Sequence, residues 1–187
     1  MKSFYTRLGD KGDTGILGEE RVPKYDLRVE ALGVIDEANS VLGWARSQSN
    51  VDEIKEIVLK VQQDLYKIMA EVAAVKEIAG QFKYVTEQQV NWLEEKTDQI
   101  SLSITIPREF IIPGDTQSGA ALDMSRTVVR RAERKIVELF HQGDIQNPLI
   151  LSYFNRLSSL CFALELYENS RVTKSEHPTL AEGDKQI

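Results

Sequence analysis

The stretch from Leu149 to Tyr167 constrains this chain more than any other. Its apolar residues, Ile150, Leu151, Phe154, Leu157, Leu160, Phe162, Leu164 and Leu166, fall on nearly every side of a helix. A helix that is apolar all round is buried, either at the centre of a bundle or against other subunits. Asn147 and Pro148 open it, with proline at the first helical position, where its missing N–H leaves no bond unmade.

The remaining segments supply neighbours for such a core helix. Leu32, Ile35, Leu42 and Ala45 recur at helical spacing between Leu27, which Asp26 can cap, and about Ser49. Ile54, Ile57, Val58, Val61, Leu65, Ile68, Met69 and Val72 form a longer stripe that Gly80 is expected to stop. A third helix opens at Thr86 with Gln89 three places on, a capping-box pattern, and carries Val90, Leu93 and Ile100. Leu102, Ile104 and Ile106 then alternate with Ser and Thr, and Pro107 and Pro113 bracket a non-helical segment that delivers Phe110 to one particular place. A fourth helix runs from near Thr116 or Ser118 to about His141. With 187 residues and no linker or repeat, these five helices predict a single-domain, all-α five-helix bundle over residues 1–171, followed by a polar, mobile tail over 172–187.

Composition excludes several function classes. A net charge of -6 provides no field to gather nucleic acid, so any anion site is local. The one cysteine, Cys161, sits in the apolar stretch and reads as a small core residue in a reducing compartment. His141 and His177 have no second ligand at metal spacing, which argues against a protein-built metal cluster. The first ten residues lack an apolar leader core, and no later run is long and charge-free enough to span a bilayer. A cytoplasmic protein is therefore expected.

Two segments carry chemistry. Residues 1–25 show neither helical nor strand period, and place Gly9, Gly12 and Gly15 among Thr6, Arg7, Asp10, Lys11, Asp13 and Thr14. Glycines let backbone N–H groups turn around phosphate oxygens, while Arg7 and Lys11 add charge. The order is not that of a P-loop, and the composition alone also fits a flexible arm. On the fourth helix Arg126, Arg130 and Glu133 fall within roughly 60° of one another along the edge of an apolar arc. Spacing leaves two readings for them, a solvated basic face or a site for an anion; Arg131, Arg134 and Lys135 suit the solvated face. Asp36 and Asn39 lie on the side of Leu32, Ile35 and Leu42, which predicts at least partial burial, with Arg126 the candidate partner of Asp36. Asn155 and Arg156 interrupt the fifth helix and imply a specific polar contact.

Taken together, Tyr5 to Gly12, Arg28 to Asn39, Phe110 to Gly114 with Ser125 to Arg134, and Asn155 to Ser158 resemble the PduO-like ATP:cob(I)alamin adenosyltransferases in order and spacing. The resemblance implies a homotrimer with each active site between neighbouring subunits. It implies that Thr6, Arg7, Gly9, Asp10, Lys11, Gly12, Thr14, Gly15 and Lys24 wrap the ATP phosphates, with Arg130, Glu133, Arg134 and Asn155 holding the rest of the nucleotide. Mg²⁺ would ride mainly on those phosphates, with Glu133 the one protein carboxylate that the resemblance offers it. Arg126, paired with Asp36 across the subunit boundary, would shape the place where nucleotide and cobalamin meet. Phe110 would block the lower face of the corrin. A reductase and a B12-dependent enzyme are the implied partners. The chain departs from the family pattern at Asp13, at Asp115 where a second glycine is common, and at Asp123 where His is frequent. Two other classes compete: a non-catalytic carrier or regulatory protein that binds ATP and cobalamin, and a plain helical oligomerisation module.

Overall fold

In the computed structural model, which describes residues 5–18, 21–173 and 178–181, five long helices account for most of the chain. They are α1 (Leu27–Gln48), α2 (Asp52–Ala73), α3 (Glu87–Ser101), α4 (Gln117–Gln142) and α5 (Leu149–Thr173). Packing follows the order α2, α1, α4, α5, α3, with a slighter contact between α2 and α5. The predicted five-helix, single-domain fold is therefore present.

Local chemistry sets most helix ends. Asp26 accepts the Arg28 N–H at 2.8 Å to open α1, and Thr116 accepts the Gly119 N–H at 2.8 Å to open α4. At α3 the capping box closes, with Gln89 Oε1 accepting the Thr86 N–H at 2.9 Å. Such caps satisfy N–H groups that have no partner within the helix. The α2 boundary differs from expectation: the helix ends at Ala73, and Gly80 belongs to a separate 3-10 turn, Ala79–Gln81. Two contacts made after the chain has folded end α2 early. Leu17 donates to the Ala73 carbonyl at 3.1 Å, and the buried Arg28 guanidinium donates to the Val72 and Ala74 carbonyls at 2.7 and 3.1 Å.

The N-terminal segment also differs from the loop predicted for it. Asp13–Gly15 (β1) and Arg21–Pro23 (β2) pair as a short antiparallel ribbon. Its short strands carry too few residues for a period to be legible. The ribbon is tied to the end of α2 by the Leu17–Ala73 bond and by Val75 donating to Leu17 at 2.9 Å. Glycine is required at position 18, because a Cβ there would lie 2.2 Å from Val75 Cγ2.

By length and hydropathy α5 qualifies as a bilayer-spanning helix, contrary to the expectation that no run would. The bundle accounts for this: 61% of its most apolar window is buried against the other helices, and Tyr153, Phe154, Leu157, Leu160 and Leu164 are almost wholly enclosed. The same helix runs past the expected boundary to Thr173. Residues 174–177 and 182–187, and with them His177, lie outside the described residues. Residues 178–181 do not hang free as a mobile tail would: Ile112 donates to the Thr179 carbonyl and Ala181 to the Phe110 carbonyl, both at 2.8 Å.

Buried polar groups join the helices where apolar packing alone is non-directional. Asp64 accepts Lys60 Nζ at 2.5 and 2.6 Å and the Tyr84 hydroxyl at 2.5 Å. Glu71 accepts the Tyr84 and Val85 N–H groups and the Asn147 side chain, joining α2 to the starts of α3 and α5. Glu168 accepts the Ser49 and Ser118 hydroxyls at 2.7 and 2.6 Å. Glu165 is the exception, since it is fully buried and neither of its oxygens has a hydrogen-bond partner among the described residues. Burial, reinforced by the nearby Asp123 carboxylate, pushes its carboxyl up to about 8. Burial also pushes the enclosed Cys161 thiol up to about 12, consistent with a core residue and not a nucleophile.

Two outcomes follow for stability. Arg28→Ala strips donors from three buried or half-buried carbonyls and is expected to destabilise the fold by about 3 kcal/mol in urea unfolding. Arg28→Lys should recover part of that loss; equal stability of Arg28→Ala and the parent would refute the staple. For Glu165 the folded carboxyl titrates near 8 while the unfolded one titrates near 4.5, so the unfolded state releases its proton first. Stability contributed by the neutral acid is thus complete below the unfolded value and declines as pH rises through that window. Glu165→Gln should raise the Tm relative to the parent at about pH 8, and the gain should vanish at about pH 5. A gain independent of pH would contradict the assignment.

Candidate active site

Two regions hold the residues that the sequence singled out. The first is a cavity of about 450 Å³ enclosed by Pro107, Arg108, Phe110, Ile111 and Pro113 on one side and by Asp123, Arg126 and Phe162 on the other. The segment between α3 and α4 reaches it without regular structure, as its prolines predict. Phe110 arrives with its ring 88% exposed, and Leu102, Ile106 and Ile112 on the same segment are exposed as well. An apolar row of this kind is costly in water and marks a surface for a ligand or partner.

Arg126 and Arg108 are the cations of this cavity, and within the chain Arg126 is not paired with Asp36. Within the chain its guanidinium bonds Asp123 at 2.7 Å, one helical turn earlier. Asp36 is exposed and makes no ion pair among the described residues. The inward stripe of α1 is Ala31, Val34, Ile35, Ala38, Leu42 and Ala45, and Asp36 falls outside it. Leu32, used to place Asp36 inside, is only half-buried. Asn39 is half-buried as predicted, with its Oδ1 enclosed and without a hydrogen-bond partner among the described residues. The i, i+3 spacing of Asp123 and Arg126 is the signal that could have found the observed pair.

Further along α4, Glu133 meets Asn155 of α5: the Asn155 amide donates to Glu133 Oε1 at 3.1 Å. Arg156 donates to Asn155 Oδ1 at 2.7 Å and to Glu94 at 2.7 Å, so both polar residues that interrupt α5 have the specific contacts predicted. Arg130 and Arg134 stand exposed on the same helix and make no ion pair among the described residues, whereas Arg131 is paired with Glu37 and Lys135 with Glu138. Arg130 stands one helical turn before Glu133, the carboxylate that accepts the Asn155 amide.

The second region is the N-terminal ribbon. Gly12 donates to the Gly9 carbonyl at 3.1 Å, and Lys24 returns to bond the Gly12 carbonyl at 2.8 Å, which closes Gly9 to Lys24 into one compact turn. The Lys24 amine crosses this turn so closely that a Cβ at Gly9 would lie 3.2 Å from it. Arg21 braces the turn by donating to the Leu8 and Asp13 carbonyls at 2.8 and 3.3 Å. Arg7 adopts a φ of 60° and stacks 5.3 Å from the Tyr5 ring centroid. Thr6, Arg7, Asp10, Lys11 and Lys24 are all exposed, with Thr14 half-buried in β1. Cations, hydroxyls and turned backbone N–H groups on one small surface suit a polyphosphate. Among the described residues no hydrogen bond or ion pair joins this turn to Arg126, Arg130, Glu133 or Asn155. Nor do three metal-ligating side chains converge anywhere among them.

Comparison with known proteins places this arrangement. Residues 4–168 match the family model described as cobalamin adenosyltransferase. A corrinoid adenosyltransferase of Bacillus subtilis is 36% identical over 172 residues, covering 90% of this chain and 87% of that protein. The corrinoid adenosyltransferase PduO of Salmonella typhimurium is 32% identical over 169 residues, and the match spans 90% of this chain but 50% of that longer protein. A variant PduO-type ATP:corrinoid adenosyltransferase from Lactobacillus reuteri, complexed with cobalamin and ATP, superposes with a TM-score of 0.89 at 34% identity, covering 99% of this chain and 100% of that one. A second variant from the same organism, complexed with ATP, gives a TM-score of 0.86 at 36% identity over 96% and 100% of the two chains. The family model, the long sequence matches and the superposition of the whole helical frame agree, and this chain belongs to the cobalamin adenosyltransferase family.

Proposed function

We infer that this chain transfers the 5′-deoxyadenosyl group of ATP to the cobalt of cob(I)alamin, giving adenosylcobalamin and inorganic triphosphate. The observation that carries the reading is the fit of the entire chain to a relative complexed with both cobalamin and ATP. In the reaction the Co(I) electron pair attacks the 5′ carbon, the cobalt–carbon bond forms, and the bond to the triphosphate oxygen breaks with its electrons leaving on triphosphate.

No general base is needed. The barrier lies in orienting the two reactants and in stabilising a highly charged leaving group, both of which preorganised cations supply. Lys11, Arg7 and Lys24 on the N-terminal turn, with Thr6, Thr14 and the backbone of Gly9, Asp10, Gly12 and Gly15, bind the triphosphate. Arg130 and Arg134, with the aligned Glu133–Asn155 pair, hold the remainder of the nucleotide. Mg²⁺ bound to the triphosphate would neutralise charge on the leaving group. The fit of the residues to Mg²⁺ is limited to Glu133, because among the described residues no cluster of three ligating side chains could cage the ion.

The two regions are joined through assembly. In a homotrimer the N-terminal turn of one subunit faces α4 and α5 of the next, and Asp36 of one chain can compete with Asp123 for Arg126 of another. Phe110 covers the lower face of the corrin and keeps the dimethylbenzimidazole base away, which makes Co(II) easier to reduce to the Co(I) nucleophile. A reductase and a cytoplasmic B12-dependent enzyme are the partners this chemistry calls for.

An anaerobic assay with ATP, Mg²⁺ and chemically reduced cobalamin tests the reaction. Loss of Co(I) absorbance together with triphosphate release supports transfer, whereas binding of both ligands without product would establish the carrier instead. Arg126→Ala and Arg130→Ala should each lower kcat/KM by about 100-fold, in line with loss of a transition-state contact of 2–3 kcal/mol. Lys135→Ala, on the solvated face, should retain parental activity. Equal activity in all three variants would remove the α4 residues from the site.

A further inference from the structure

The backbone around Phe110 is held almost entirely from outside its own segment. Between the Ser103 N–H bond to Ile100 and the Ala120 bond to Thr116, the segment's backbone–backbone bonds among the described residues both run to the far end of the chain. Ile112 donates to the Thr179 carbonyl and Ala181 donates to the Phe110 carbonyl, each at 2.8 Å, with Ile111 opposite Leu180 in an antiparallel bridge. Packing does not hold the ring, which is 88% exposed.

Side chains alternate along extended backbone, so a bridge centred on Ile111 fixes which way its neighbours point. Ile111 is half-buried, while Phe110 and Ile112 turn outward. A slip of one residue would reverse all three. Two strands this short carry little register information of their own, and one side-chain contact supplies it. Asp115 accepts the Thr179 hydroxyl at 2.5 Å through Oδ1 and the Thr179 N–H at 3.0 Å through Oδ2. Both bonds go to the two oxygens of one carboxylate, and a glycine at position 115 could make neither.

We propose that Asp115 and Thr179 are positioning residues for Phe110: by pinning Thr179–Ala181 in one register against Phe110–Ile112, they aim the Phe110 ring at the lower face of the corrin. The proposal rests on the role assigned to Phe110 above. Neither residue touches substrate in this scheme, and the effect belongs to formation of Co(II) without its lower base, not to adenosyl transfer.

The test uses the full chain with MgATP and cob(II)alamin, and reads the fraction of four-coordinate Co(II) by electron paramagnetic resonance. MgATP affinity and the transfer rate from pre-reduced cob(I)alamin are measured alongside. Asp115→Ala and Thr179→Val should lower the four-coordinate fraction by about fivefold or more, with affinity and transfer rate within about twofold of the parent. Thr179→Ser, which keeps both donors, should restore the fraction. A parental four-coordinate fraction in Thr179→Val, in a background where Phe110→Ala abolishes the signal, would overturn the proposal. So would an equal loss of MgATP affinity and of transfer from cob(I)alamin, the mark of general structural damage. A parental signal in Phe110→Ala itself would instead refute the reading of Phe110 on which the proposal stands.

Discussion

A buried guanidinium holds together the end of the bundle on which the N-terminal ribbon docks. Arg28 is 7% exposed and donates to carbonyls at the end of α2 and to the Asp144 carbonyl between α4 and α5. A cation enclosed to this degree is tolerated only when its donors are met, and here they are met by carbonyls at the end of α2 and by the carbonyl and carboxylate of Asp144. The same carbonyl-rich corner receives Leu17 and Val75, which dock the N-terminal ribbon on the bundle. Placement of the N-terminal turn therefore depends on contacts made at the end of α2.

The other end of the bundle obeys a different constraint. The Phe110 segment exposes apolar side chains and has few backbone bonds of its own, so its shape is supplied by α4, by Phe162 of α5 and by the residues after α5. Asp123 neutralises Arg126 at the wall of the same cavity, which leaves a guanidinium available at the cost of breaking one short-range pair. Glu165 lies close enough for Asp123 to raise its pKa, and as a neutral acid it adds no further negative charge beneath that pair.

In one chain the turn and the helical residues form two surfaces rather than one site. That division suits a reaction with two large substrates. The N-terminal turn is held on its ribbon, while the cavity beside Arg126 is formed by a segment bonded to residues near the end of the chain.

Much of this was legible in the sequence, because helices and caps are set by residues within a turn or two of each other. The stripes of α2 and α5, the capping box at Thr86, the break between α3 and α4 and the polar contacts of Asn155 and Arg156 all follow from local spacing. The family was legible too, through motifs whose order survives in the linear chain. What tertiary structure alone decided was partnership. Within the chain Arg126 took Asp123, α2 stopped short of Gly80, the glycine-rich arm became a ribbon, and Thr179 found Asp115. Arg28 meets Asp144 across 116 positions and Thr179 meets Asp115 across 64. Contacts at such separations depend on where whole helices place their ends, and no periodicity within a segment carries that information.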